Sequence, residues 1–195
     1  TIDSISISPG DLSGTSEFTP TDDSVYEGNE TITLTVNTAS SVGSFTISNT
    51  PTISIGENES APTVTLATSA TSIAEDAGSS LTLTATSSIV ADEDITVSIA
   101  TSGTGTEGTD YNTISDITIS AGATTGTASF TPINDTVFEA NETAIVSISS
   151  VSGADATESG VQSETITIVK DAAAAPTVTL ATSATSIAEN AGSSL

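Results

Sequence analysis

The chain has 195 residues with one lysine, no arginine or histidine and 25 acidic residues, for a formal net charge of -24. Nucleic-acid binding through phosphates needs Lys and Arg, and anionic membranes repel such a polyanion, so both are excluded and cations become the natural partners. With no Cys or His, disulfides, the usual zinc and haem ligands and nucleophile–base pairs are also excluded. A domain working outside the cell without disulfides needs another staple, and metal is the candidate.

Apolar residues make up 35% of the chain and alternate regularly, which separates it from a disordered acidic polymer. In chain order, the period-two runs are Ile5–Ile7, Thr31–Val36, Val64–Leu66, Leu81–Leu83, Ile95–Ile99, Ile117–Ile119, Ile145–Ile148 and Ile166–Ile168. Each predicts a strand with one buried face, and Thr and Ser fill the outward positions. Gly and Asn/Asp clusters separate the runs, and no 3.6-residue pattern is sustained. The fold expected is all-β: antiparallel sandwiches of about seven strands per unit. With aromatics at 3%, the core must be aliphatic, with Phe130, Phe138 and Tyr111 as its larger members. No run approaches the roughly 18 apolar residues of a membrane helix, so no direct membrane insertion is expected.

Repetition organises these elements. PTVTLATSATSIAEDAGSSL at Pro62–Leu81 returns at Pro176–Leu195, a spacing of 114 residues, with Asp76 replaced by Asn190. FTPTDDSVYEGNE at Phe18–Glu30 matches FTPINDTVFEANE at Phe130–Glu142, and TIDSISIS at Thr1 matches TISDITIS at Thr113. A domain-sized period predicts an array of domains rather than a solenoid of 20- to 50-residue units. The expected boundaries are 1–61 for the second half of one unit, 62–175 for a whole unit and 176–195 for the opening of a third. On this reading the chain is a window on a longer tandem protein whose partners are neighbouring repeats.

Chemistry concentrates in acids beside turns and strand ends: Glu75, Asp110, Asp135, Glu139, Glu142 and Asp171 in the whole unit. Asp135, Glu139 and Glu142 lie close together before the strand at Ala144–Ser149, so their repulsion calls for a counter-charge. Calcium takes about 6 to 8 oxygens, which sandwich loops can supply from distant parts of the sequence. The alternative is that these are solvated loop acids keeping a long array soluble. Glu139 and Glu142 as a glycosidase pair lack any aromatic sugar platform. Gly103-Thr-Gly105 with Gly108 resembles a phosphate loop but has neither the following helix nor the lysine, and reads as a turn approaching Asp110. Asn29-Glu-Thr31 and Asn141-Glu-Thr143 match a glycosylation sequon and also accompany the acidic motif.

The order Glu75-Asp-Ala-Gly78, Gly108-Thr-Asp-Tyr111, Asn134-Asp-Thr-Val-Phe-Glu-Ala-Asn-Glu142 and then Asp171 resembles the Calx-beta domain. The resemblance implies a seven-stranded immunoglobulin-like sandwich of the kind found in sodium-calcium exchangers, integrin-associated chains and large bacterial surface proteins. It implies Ca2+ as the cofactor, held by Glu75, Asp110, Asp135, Glu139 and Glu142, with the Val137 carbonyl as a backbone ligand. In the first partial unit it marks Asp22, Asp23, Val25, Glu27 and Glu30, with Glu57 and Glu59 near the exit strand, and in the third it marks Glu189. Two departures argue for one or two ions rather than more. Lys170 stands beside the single terminal Asp171, and Asn134 replaces the carboxylate kept as Asp22.

Catalysis is not expected. The function expected is a calcium-stiffened spacer in an extracellular or bacterial cell-surface stalk, fibre or adhesin. The alternative is a calcium-dependent protein- or surface-binding module, with homopolymers formed by strand complementation as a further variant. Scarcity of aromatics and Arg, the usual hot-spot residues, favours the spacer.

Overall fold

The structure is a computed structural model that describes residues 3–36, 49–171, 175–183, 185–186 and 188–189. Among the described residues all regular elements are strands. Three short ones come first: β1 (Val25–Tyr26), β2 (Glu30–Thr33) and β3 (Thr52–Ile55). Ten follow within the whole unit: β4 (Thr63–Thr68), β5 (Ser72–Ala74), β6 (Leu81–Ser87), β7 (Val90–Ala91), β8 (Ile95–Gly103), β9 (Ile117–Ile119), β10 (Thr125–Phe130), β11 (Glu142–Ser152), β12 (Thr157–Glu158) and β13 (Ser163–Val169).

Two sheets face each other, one ordered β10-β6-β4-β12 and the other β5-β13-β11-β8-β9. The long pairings are antiparallel, and the short edge pairs β4/β12 and β5/β13 are parallel. The opening strand is shared between the layers: β4 belongs to one sheet and β5 to the other. That split, with the two-residue strands β7 and β12, raises the element count above the seven expected.

Alternation decides which side chains meet between the sheets. Val64 and Leu66 of β4, Leu83 and Ala85 of β6, Ile95 and Val97 of β8, Ile117 and Ile119 of β9, Val146 of β11 and Ile166 of β13 are all buried. Each large aliphatic contributes about 1.5–3 kcal/mol by leaving water. Tyr111 and Phe130 stack at its end with centroids 4.9 Å apart, as expected for core aromatics. Phe138 departs from expectation. It is 40% exposed, because the loop from Asn134 to Asn141 carries it off the end of the sandwich, where the Lys170 ammonium sits 4.4 Å from its ring centre.

Alternation without a partner strand does not make a strand. Ile5 and Ile7 are more than half exposed and outside any sheet. In the third segment Val178 and Leu180 are exposed at 97% and 98%, whereas their counterparts Val64 and Leu66 are buried between β6 and β12. The opening Thr1–Ile2 and the variant Asn190 lie outside the described residues.

The first segment joins the sandwich through β1, which pairs in parallel with β7, Val25 against Val90 and Tyr26 against Ala91. The Asp92 amide donates to the Tyr26 carbonyl at 3.1 Å. Tyr26 is 8% exposed, and its hydroxyl donates to Asp155 Oδ2 at 2.8 Å. That bond holds the phenol above its usual pKa, with burial adding in the same direction.

Candidate metal centre

Three loops converge at the end of the sandwich where β5, β8 and β13 finish. β8 ends at Gly103, whose φ is +121° and whose absent Cβ would stand 2.1 Å from the Thr143 carbonyl. Only glycine fits there, and the contact brings the following loop beside the start of β11. Within that loop Asp110 Oδ2 accepts the Thr106 amide at 2.6 Å, and the Asp110 carbonyl accepts the Ile133 amide at 2.9 Å. Glu142 opens β11, opposite Ile168 of β13.

Carboxylate oxygens of Asp110, Glu139 and Glu142 all lie within 4.8 Å of one another, and all three residues are half-buried. Burial and then repulsion disfavour the charged forms of the two glutamates. Glu139 is raised above its usual pKa first by burial and then by Asp110, Asp135 and Glu75. Glu142 is raised first by burial and then by Asp110 and Glu139. Two further acids border the group. Glu75, immediately after β5, is 7% exposed; its amide donates to the Val169 carbonyl at 2.9 Å, and its Oε1 accepts the Asp135 amide at 3.1 Å. Asp135 Oδ1 accepts the Val137 amide at 2.6 Å. Asp171 follows β13 and is half-buried.

The donor set suits calcium. All donors are hard oxygens. At the calcium–oxygen distance of about 2.3–2.6 Å, two oxygens on one ion stand at most about 5 Å apart, which is the spread found here. Neutralising three mutually repelling carboxylates also removes the cost that pushes Glu139 and Glu142 toward protonation.

Acids of the first segment are arranged differently. Glu57 Oε2 accepts the Glu27 and Gly28 amides at 2.6 and 2.7 Å, and Oε1 accepts those of Asn58 and Glu59 at 2.8 and 2.9 Å. These bonds, that from Glu59 foremost, hold its carboxyl down to about 2. Gly28 sits at φ +71°, which lets its amide turn inward beside that of Glu27. Asp23 Oδ1 accepts the Val25 amide, Asp22 Oδ1 accepts from Asn58 Nδ2, and Glu30 opens β2. Glu27 is raised first by burial and then by Asp23, and Glu59 first by its hydrogen bond to Glu57. Backbone amides therefore surround the Glu57 carboxylate. Glu189 is exposed in the third segment.

The family model described as the Calx-beta domain matches residues 57–173. The chain belongs to the Calx-beta family. Calx-beta domains are calcium-binding and regulatory modules rather than catalysts. Among solved structures, a crystal structure of the apo form of the Calx CBD1 domain is similar at 17% identity. It has a TM-score of 0.47 and covers 56% of this chain and 98% of that one. A crystal structure of CBD12 from CALX1.2 is similar at 18% identity and TM-score 0.45, covering 51% of this chain and 41% of that one. No curated protein matches. Sequence reasoning missed Tyr26 and Asp155, which join the first segment to this Calx-beta unit; the only signal was that Val25-Tyr26 and Val137-Phe138 occupy one position of the repeated acidic motif.

Proposed function

We propose that this chain is a calcium-stiffened run of Calx-beta units serving as a spacer in an extracellular bacterial stalk, fibre or adhesin, with neighbouring repeats as its partners. The observation that carries the reading is the convergence of Asp110, Glu139 and Glu142 at the end of the sandwich. These three would hold the ion, with Glu75 and Asp135 beside them; the ion supplies charge neutralisation and cross-links loops that are distant in sequence. A near-identical opening segment at Pro62 and Pro176 supports the reading, because repetition of whole units adds length without adding a new site.

In the first segment the same acidic motif lies against the next unit, where Glu27 feels the charge of Asp92. An ion at this end of a unit thus also reaches the joint and limits bending. Calcium that binds only the folded form stabilises it by about 1.4 kcal/mol at a tenfold excess over Kd. Calorimetry and small-angle scattering, with calcium and with chelator, test the proposal. The expected result is a higher melting temperature and a narrower distribution of shapes with calcium; identical curves in both conditions would overturn it.

A further inference from the structure

The acidic motif occurs twice with the same local geometry and two different fates. In both copies an aspartate accepts the amide two residues on, Asp23 from Val25 at 2.8 Å and Asp135 from Val137 at 2.6 Å. In both copies an asparagine accepts an amide from the end of the closing strand, Asn29 from Glu57 at 2.9 Å and Asn141 from Lys170 at 3.2 Å. Yet Val25–Tyr26 is bridged to Val90–Ala91 with Tyr26 8% exposed, whereas Val137 and Phe138 are 59% and 40% exposed. An apolar pair held in the geometry that docks in one copy is left open in the other.

We propose that Val137–Phe138 is a docking strand for a second copy of the unit, bridging in parallel to that copy's Val90–Ala91 and placing the Phe138 ring beside its Asp155. The occupant is identified by what Tyr26 already occupies and by charge. Around the Tyr26 site the receiving face carries Asp92, Glu93 and Asp155. At the first joint the Tyr26 hydroxyl satisfies Asp155. Phe138 has no hydroxyl, but Lys170, the only Lys or Arg of the chain, stands over its ring. The equivalent position in the first segment, marked by the shared asparagine bond, is Glu57, which turns inward onto Glu27 and Gly28. Ala140 replaces Gly28, and Lys170 brings a positive charge to the acidic face. The two joints therefore use one strand register and opposite polar solutions.

This inference rests on the reading of the chain as a run of repeated units, and cysteine trapping tests it separately from calcium. The chain has no cysteine, so introduced pairs report without background. Paired strands about 4.8 Å apart fall within the Cα separation of about 4.4–6.8 Å that a disulfide spans. The test protein is the full chain extended after Leu195 by a second copy of residues 82–175, which completes the unit opened at Pro176. Val137→Cys is combined with Val90→Cys in the added copy, and Val25→Cys with Val90→Cys in the original chain is the reference pair. Both pairs should close on oxidation, independent of protein concentration. Phe138→Ser should slow closure of the first pair by about tenfold or more and leave the reference pair unchanged; Lys170→Glu should slow it in the same sense. Closure of the reference pair alone, or closure that ignores Phe138→Ser, overturns the proposal, as does failure of both pairs, because the Tyr26 joint is its template. Docking that persists identically in chelator, in a chain that calcium does not stabilise, would remove the calcium reading and leave this one standing.

Discussion

Glu142→Gln is expected to change sign with calcium. Its carboxylate lies within 4.8 Å of the oxygens of Asp110 and Glu139. Two unit charges at that separation repel by about 1 kcal/mol at the dielectric of water and about 3 kcal/mol at the effective value near a protein surface. These residues are only partly buried, so screening favours the lower figure. The amide keeps the shape and removes the charge. In chelator the variant should therefore be more stable than the parent by about 1 kcal/mol, a rise in melting temperature of several degrees for a domain of this size. In calcium the order reverses: one charged ligand fewer should weaken binding by about tenfold, or about 1.4 kcal/mol. Calorimetry of both proteins across a calcium series reads the crossing directly. A variant less stable than the parent in chelator and equally stabilised by calcium would refute the argument, since Glu142 would then be neither a repelling charge nor a ligand.

Titration without calcium should show two limbs. Glu139 and Glu142 are raised above their usual 4.5, so folded protein keeps protons that the unfolded chain has released; their stabilising contribution is full below pH 4.5 and is lost as pH rises through the raised values. Glu57, held down to about 2, runs the other way, contributing above pH 4.5 and losing that contribution as pH falls toward 2, so denaturant melts across pH should find a maximum between the limbs. Tyr26→Phe removes the hydroxyl bond to Asp155 at a cost of about 1 kcal/mol to the joint, and hydrogen exchange at the Asp92 amide, which donates to the Tyr26 carbonyl, should quicken about fivefold while the β11 amides are unchanged. Phe130→Ala, which empties a fully buried site stacked on Tyr111, should cost about 3–5 kcal/mol in urea unfolding.

Period-two patterning located strands whose inward positions carry large aliphatics, as in Ile117–Ile119 and Ile166–Ile168. It passed over β10, whose inward positions are Gly126, Ala128 and Phe130: small residues are used where a Cβ on Gly126 would stand 2.2 Å from the Thr118 carbonyl, so packing space replaced hydrophobic signal. Burial of Tyr111 and Phe130 was legible from their scarcity in an aliphatic chain, but exposure of Phe138 was not, since a loop aromatic carries no periodicity. The acids of the candidate metal centre stood out as a motif, whereas the placement of Glu75 follows from β5 pairing with β13 across most of the unit. The Tyr26–Asp155 bond joins residues 129 apart and belongs to no local pattern.

The split opening strand has a mechanical meaning. β5 runs parallel to β13, with Ser72 opposite Thr167 and Ala74 opposite Val169. Tension that passes along the chain beyond β4 pulls β5 from its first residue and β13 from its last, in opposite directions. The ladder is thereby loaded in shear, so its hydrogen bonds must fail together rather than peel one at a time. Bonds from Thr167 to the Thr71 carbonyl and from Glu75 to the Val169 carbonyl extend the clamp at both ends. The second of these is made by the residue that borders the acidic cluster, which puts the unit's force-bearing seam and its candidate ion site at the same point of the chain.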